Sequence, residues 1–510
     1  MTQANICIIL TIVCYLIVVV AIGIKYSKAN ETTADFYLGG RKLGPLVTAM
    51  SAEASDMSSY LLMGLPGLAY LTGLADVGWT VIGLAVGTYL NWLIVAKKLR
   101  RYSEINHSIT IPDFFSNRYR DSSRSLMGIS ALIIIVFFIP YTASGFAACG
   151  KLFASIFGVE YFTAMLISAV VIVAYTALGG FLAASTTDLI QSIVMTIALV
   201  IVLIFGVTMA GGWSAVAENA SQLPGYLSFS ATYDPATGAA APYGLLSKAS
   251  MLAWGLGYFG MPHVLLRFMA IKDDRKLKTS RRIATVWVVI SMAIAVLIGI
   301  IGYSLSKNGS IAALTGSDSE TVIIKIAGFL SQYGVLAAVM AGVILAGILA
   351  CTMSTADSQL LAASSSVSNN ILQSVFGIQM SEKKRMIAAR LTVIIIAVIA
   401  VFIARDPNSS VFGIVSFAWA GFGASFGPVM LLALFWKRSN RNGALAGMIS
   451  GGAMVFLWKY GISQLGGVFG IYELLPAFLT AIVVNVLVSL ATKEPSKEIT
   501  EEFETVKNMA

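Results

Sequence analysis

The sequence predicts an all-α integral membrane protein of about 13 transmembrane helices, and three observations predict it. Of the 510 residues, 57% are hydrophobic and only 12% charged, against about a quarter charged in soluble domains. The apolar residues come in runs of about twenty, the helix length that crosses a ~30 Å hydrocarbon core. Of the 34 Lys and Arg, 27 fall in one alternating set of the loops between these runs and four in the other, a positive-inside pattern. A soluble enzyme is excluded. The net charge of +9 follows from this topology and needs no nucleic-acid partner.

The runs lie at 5–24, 43–72, 76–96, 126–157, 161–180, 188–210, 244–270, 283–306, 334–370, 386–404, 411–436, 442–461 and 473–491, numbered here spans 1 to 13. The charge asymmetry puts the N-terminus outside and the C-terminus in the cytoplasm, in a multi-pass plasma-membrane protein. Span 1 is expected to be a retained span, because no basic stretch precedes it and it exceeds a signal-peptide core. Cys7, Cys14, Cys149 and Cys351 all sit in apolar runs, without zinc spacing or a disulfide framework.

Spans 2 and 7 are irregular. Span 2 carries "SAEASDMSSYLLMGLPG" (51–67), with two carboxylates, Glu53 and Asp56, among serines and glycines. Span 7 carries "WGLGYFGMPHVLLRFM" (254–269), with three glycines and Pro262. Glycine loosens a helix and proline removes a backbone donor. In lipid, broken backbone survives only where it lines a cavity or is buried in protein. Five spans separate the two breaks, so spans 2–6 and 7–11 run in opposite senses. Paired broken helices in inverted repeats point to a transporter with its site near the midplane. The expected organisation is 1–42 (extra span and first inner loop), 43–210 (first repeat), 211–243 (outer loop), 244–436 (second repeat), 437–491 (two further spans) and 492–510 (polar tail, loosely ordered).

An unwound stretch at membrane depth presents carbonyl oxygens that suit a small hard cation. Span 9, "AGILACTMSTADSQLLAASSSVS", offers hydroxyls to complete the shell. A single Ser or Thr in such a helix more often bonds the preceding turn or glues helices together. The pair Ser354 and Thr355, set against a broken span 2, favours the cation reading.

These residues carry a resemblance. "SDMSSYLLMGLPG", "FIPYTASG" (138–145), "ALGGFLAASTTDLIQ" (177–191), "WGLGYFGMPHVLLRFMA" (254–270), "MSTADSQLL" (353–361), "ITIPDFFSNRYRD" (109–121) and the run 421–452 resemble the sodium:solute symporter family, most closely its sodium/proline symporters. The resemblance spans essentially the whole chain. It implies the leucine-transporter-type 5+5 inverted repeat, Na+ as the co-transported ion and L-proline as substrate. It implies a sodium site of the main-chain carbonyls of Ala54, Met57 and Cys351 with the hydroxyls of Ser354 and Thr355. It implies proline recognition by Tyr141, Trp254, Tyr258 and Pro262, an essential carboxylate at Asp56 with Ser58 in the same break, and a functional aspartate at Asp188, opening span 6. The sequence departs from the family pattern at Ser59-Tyr60, where Gly-Trp is usual, at Glu53, and at Cys351. Another small solute (a sugar, sialic acid, a vitamin, another amino acid) or proton coupling remains the alternative.

Other readings lack their machinery. No filter motif marks a channel, no phosphate-binding G-x-x-x-x-G-K-[ST] marks a pump, and no intramembrane acid pairs with a histidine as an enzyme would need. His107 and His263 are too few for a zinc site. Arg267 is expected to snorkel toward the interface, with a gate pair to an acid as the rarer reading. An interfacial helix cap competes evenly with a gating role for Asp188, and Asp357 has no assigned role.

Overall fold

The computed structural model describes residues 2–27 and 33–509. Ten of its helices are long and apolar enough to cross a membrane: Gln3–Tyr26, Leu74–Ile105, Ser125–Phe157, Gly180–Met209, Asp274–Lys307, Val335–Val375, Lys383–Ile403, Val411–Phe435, Arg441–Leu465 and Leu474–Ala491. Of the remaining runs, spans 2 and 7 are divided into shorter pieces, and span 5 runs on into span 6.

Span 2 is helical over Pro45–Ser59, widens to a π-helical turn at Tyr60–Gly64 and continues over Leu65–Thr72. Its helical dihedrals fail at Ser58 (φ 46°, ψ −168°), a conformation that costs a non-glycine residue about 1–3 kcal/mol. Span 7 is helical over Leu245–Leu252, tightens to a 3-10 turn over Ala253–Gly260, turns extended at Met261 (φ −75°, ψ 108°) and restarts at Pro262. Proline suits that first helical position, where its missing N–H is no loss. Gly257 lets span 7 press against span 11: a Cβ there would stand 2.0 Å from the Trp419 Nε1.

The loop expected between spans 5 and 6 is absent. One helical segment covers Tyr161–Met209, broken only at Gly180 (φ 68°), a left-handed conformation that glycine adopts without a Cβ clash. Span 6 therefore begins near residue 180, and Asp188 lies two turns inside it.

Loops pack onto the end of span 2 beyond the break. Tyr226 donates to the carbonyls of Ala69 and Tyr70, both at 2.8 Å, from a loop that also carries the short hairpin Ala231–Asp234 and Ala239–Pro242. The Glu320 backbone lies so close to Gly67 that a Cβ there would meet it at 2.8 Å. Glu320 pairs with Lys151 at 2.8 Å and accepts the amides of Val411 and Phe412, both at 3.0 Å. One buried carboxylate thereby joins spans 4 and 11, and its residue's backbone packs on span 2.

The tail corrects an expectation. Lys497–Asn508 is a docked helix. Ile499, Phe503 and Val506 are buried, and their i, i+4, i+7 spacing is an apolar stripe hidden in a polar composition. Arg120 pairs with Glu502 at 2.5 Å and Glu498 at 3.2 Å, and Lys437 pairs with Glu504 at 2.9 Å. The Arg118 guanidinium lies 5.4 Å from the Phe503 ring. Surface pairs contribute little each, so the stripe carries the docking. Phe503→Ala is expected to remove about 2 kcal/mol or more of docking free energy, seen as faster amide exchange across 497–508 with spans 3 and 4 unaffected. Undiminished protection would show that the ion pairs hold the helix.

Candidate functional site

The break at Ser58 leaves main-chain carbonyls inside the molecule, and their partners build the site. The Tyr60 amide donates to the Met57 and Ser58 carbonyls. The Tyr141 hydroxyl donates to the Asp56 carbonyl at 3.2 Å and to Ser58 Oγ at 3.5 Å. Span 9 reaches the same stretch: Ser354 Oγ donates to the Ala54 carbonyl at 2.8 Å and to the Cys351 carbonyl at 3.2 Å. Thr355 Oγ1 donates to the Cys351 carbonyl at 3.1 Å.

Four of the five expected cation ligands are thus brought together: Ala54, Cys351, Ser354 and Thr355. Met57 is the fifth. Among the hydrogen bonds of the described residues, its carbonyl is joined to Tyr60 within span 2 and not to span 9. Both hydroxyls do bond their own helix, the commonplace behaviour, but Ser354 also crosses to span 2. A cation between the two spans would meet the lone pairs of hydroxyl and carbonyl oxygens, the hydroxyls turning their hydrogens away, a donor set for a hard ion.

Asp56 and the aromatic residues form the other half. Asp56 Oδ2 accepts the Tyr258 hydroxyl at 2.7 Å, and Asp56 Oδ1 is buried without a partner. Tyr258 stands edge-on to Trp419, ring centroids 5.0 Å apart, and its carbonyl accepts from Asn91 Nδ2 at 3.0 Å. Trp254 stacks between Tyr60 (5.5 Å) and Tyr472 (4.9 Å), and its carbonyl accepts from Trp419 Nε1 at 2.8 Å. Tyr141 and Tyr258 therefore converge on Asp56, with Trp254 beside Tyr60. Pro262 begins the second helical piece of span 7 and acts through the backbone. Glu53 points elsewhere, accepting the Trp92 indole N–H at 2.9 Å from span 3. Ser58, Ser59, Tyr141, Thr142, Thr355 and Gln359 border a hydroxyl-lined space too tight to admit water.

Asp188 and Arg267 are corrected together. Asp188 is fully buried within a helix, so it caps nothing at an interface. Arg267, 1% exposed, does not snorkel. Its Nη2 donates to Asp188 Oδ2 at 3.2 Å and Ser358 Oγ at 2.6 Å, and its Nε to Ser51 Oγ at 3.0 Å. Ser51 Oγ donates to the same Asp188 oxygen at 2.6 Å. This buried cluster ties spans 2, 6, 7 and 9. The sequence reading missed Tyr60, Trp419 and Tyr472 as pocket neighbours. Gly257 is the only signal for Trp419, because a missing side chain marks where a large one must fit.

Arg267→Met leaves Asp188 buried and uncompensated, a loss of about 3–5 kcal/mol. The expected outcome is a lower Tm, with part of the loss restored in the double variant Arg267→Met/Asp188→Asn. Equal destabilisation of the single and double variants would show that the arginine acts by packing alone.

Comparison with known proteins bears on this geometry. The sodium:solute symporter family model matches residues 36–451. The chain is 42% identical to a sodium/proline symporter of Haemophilus influenzae over 500 residues (97% of this chain, 96% of the relative). It is 41% identical to the osmoregulated proline transporter OpuE of Bacillus subtilis (96% of each chain), and 42% identical to the high-affinity proline transporter PutP of the same organism (94% and 98%). In fold it is similar to a substrate-bound, outward-open Na+-coupled sialic acid symporter, with a TM-score of 0.77 at 17% identity over 96% of this chain and 99% of the other. It is also similar to MhsT in complex with L-phenylalanine, with a TM-score of 0.55 at 14% identity over 88% and 99%. The fold is the leucine-transporter type, with broken helices in spans 2 and 7, and the chain belongs to the sodium:solute symporter family.

Proposed function

We propose that this protein is a sodium-coupled symporter that imports L-proline by alternating access. The observation that carries the reading is the Ser354 bridge from span 9 to the Ala54 carbonyl at the broken stretch of span 2, beside an aromatic-walled acid. The names of the relatives support proline over other solutes. Sodium takes the oxygens of Ala54, Met57, Cys351, Ser354 and Thr355. Asp56 holds the substrate's ammonium through its unpartnered oxygen, and Tyr141, Trp254 and Tyr258 wall the pyrrolidine ring, an apolar body with a cationic edge. Ser58 and Pro262 hold the two breaks, and Asp188 with Arg267 closes the far side. Sodium entering from outside joins span 2 to span 9, proline completes the closed state, and the buried cluster parts to release both. The N-terminus lies outside the plasma membrane and the C-terminus in the cytoplasm.

The sodium site is tested by titrating sodium against labelled-proline uptake in proteoliposomes. Thr355→Ala and Ser354→Ala each delete a ligand, and the sodium concentration for half-maximal uptake is expected to rise at least tenfold. Thr355→Ser keeps the oxygen and most of the function. Cys351→Ala keeps the carbonyl and is expected to be nearly silent. High sodium restores part of the lost proline affinity, because the two sites are coupled. A wild-type curve for Thr355→Ala would remove the site as drawn. Orientation has its own test, in a cysteine-free background. Cysteines at Gly238 and Ala313 are expected to react with an impermeant reagent on intact cells, and those at Glu104 and Lys276 only after permeabilisation. Reaction at Lys276→Cys from outside would invert the topology.

A further inference from the structure

Two hydroxyls in the site have nothing to bond. Tyr60 Oη and Ser59 Oγ are both buried and unpartnered. Buried polar atoms almost always find partners, so orphans that gather at one site mark where another molecule's polar atom belongs. The Tyr60 hydroxyl is not free to turn away: its ring is held by stacking on Trp254 (5.5 Å) and by Phe412 (5.8 Å). Ser59 shares the hydroxyl-lined space with Tyr141 and Ser58. Tyr60 therefore stands beside the tryptophan, and Ser59 beside the tyrosine, that would surround the substrate.

Proline cannot satisfy them all. Its polar atoms are one amine and one carboxylate, adjacent to each other, and its ring carries none. The amine is matched by Asp56 Oδ1, and the carboxylate by the Tyr141 hydroxyl and sodium. Tyr60 stands on the Trp254 side, against the ring. A phenol or serine hydroxyl both donates and accepts, so the complement of the pair is another hydroxyl.

We propose that Tyr60, with Ser59, reads a hydroxyl on the ring of the substrate, so that this symporter also carries ring-hydroxylated cyclic secondary-amine acids. The inference rests on the proline reading above and adds a substrate class to it.

The test measures kcat/KM for labelled L-proline and labelled trans-4-hydroxy-L-proline with the full chain in proteoliposomes under an inward sodium gradient. The wild type is expected to carry the hydroxylated compound at least as efficiently as proline. Tyr60→Phe keeps the stacked ring and removes only the oxygen. It is expected to lower the hydroxyproline-to-proline ratio about tenfold, the worth of one well-made hydrogen bond, mainly through the KM of hydroxyproline. Ser59→Gly is expected to move the ratio in the same direction. If Tyr60→Phe transports neither compound, the ratio is read from their displacement of bound label, and equal displacement overturns the proposal. A wild type that prefers proline tenfold or more, or a ratio unmoved in both variants, also overturns it while leaving proline import standing. A wild type in which sodium drives neither compound overturns both readings.

Discussion

Everything near the centre of this molecule answers one constraint: a membrane helix that stops being a helix must find partners for its carbonyls from within the protein. Span 2 breaks at Ser58, and the groups around it are arranged by that event. The Tyr60 amide turns back onto Met57 and Ser58. Tyr141 reaches in from span 4, and Ser354 reaches across from span 9. Each supplies a hydrogen bond to a freed carbonyl, and those carbonyls with the Ser354 hydroxyl are the kind of oxygens that hold a hard ion. The positive φ at Ser58 sits in a stretch that two other spans hold in place.

Two buried ion pairs flank this centre. Lys151 with Glu320 lies where loops pack over one end of span 2, and Arg267 with Asp188 lies where Ser51 of the same span meets spans 6, 7 and 9. A buried pair adds little net stability over apolar residues, yet it is costly to break one-sidedly. Such pairs suit a protein whose ends must part and rejoin, because water entering an opened end solvates both charges together. Both pairs are made here, so both ends of span 2 are held.

Much of this was legible in the sequence, at the level where physics is local. Span positions followed from run length, the breaks from glycine, proline and misplaced acids, the Ser354–Thr355 pair from its setting against a broken span 2, and the carbonyl ligands from the family resemblance. The loop before Asp188 was misplaced because the turn takes one residue, Gly180, and the Gly179-Gly180 pair that marks it was read as the end of an apolar run. Arg267 was read as snorkelling because its partner is 79 residues away, and no local pattern pairs them. The tail was read as loose because its composition is polar, although Ile499, Phe503 and Val506 carry helical periodicity. Tyr60 and Ser59 stood out as departures from the family pattern, but only tertiary structure shows that their hydroxyls lack partners.

The geometry also constrains the energetics of coupling. The proposed sodium ligands are carbonyls and hydroxyls, so the ion brings one net charge into a site whose fixed charge, Asp56, is matched by the substrate's ammonium. A zwitterion adds no net charge of its own. One sodium per substrate then moves one elementary charge, about 2.3 kcal/mol per 100 mV, and a tenfold sodium gradient adds about 1.4 kcal/mol. Together these sustain a several-hundred-fold accumulation. The coupling is tight only if neither ligand crosses alone. Ser354 bridges to the Ala54 carbonyl two residues before Asp56, so the ion that ties span 9 to span 2 also fixes the stretch that presents the acid to the substrate. In the proposed site, sodium and substrate bind to one piece of backbone, and the break in span 2 would make their affinities interdependent.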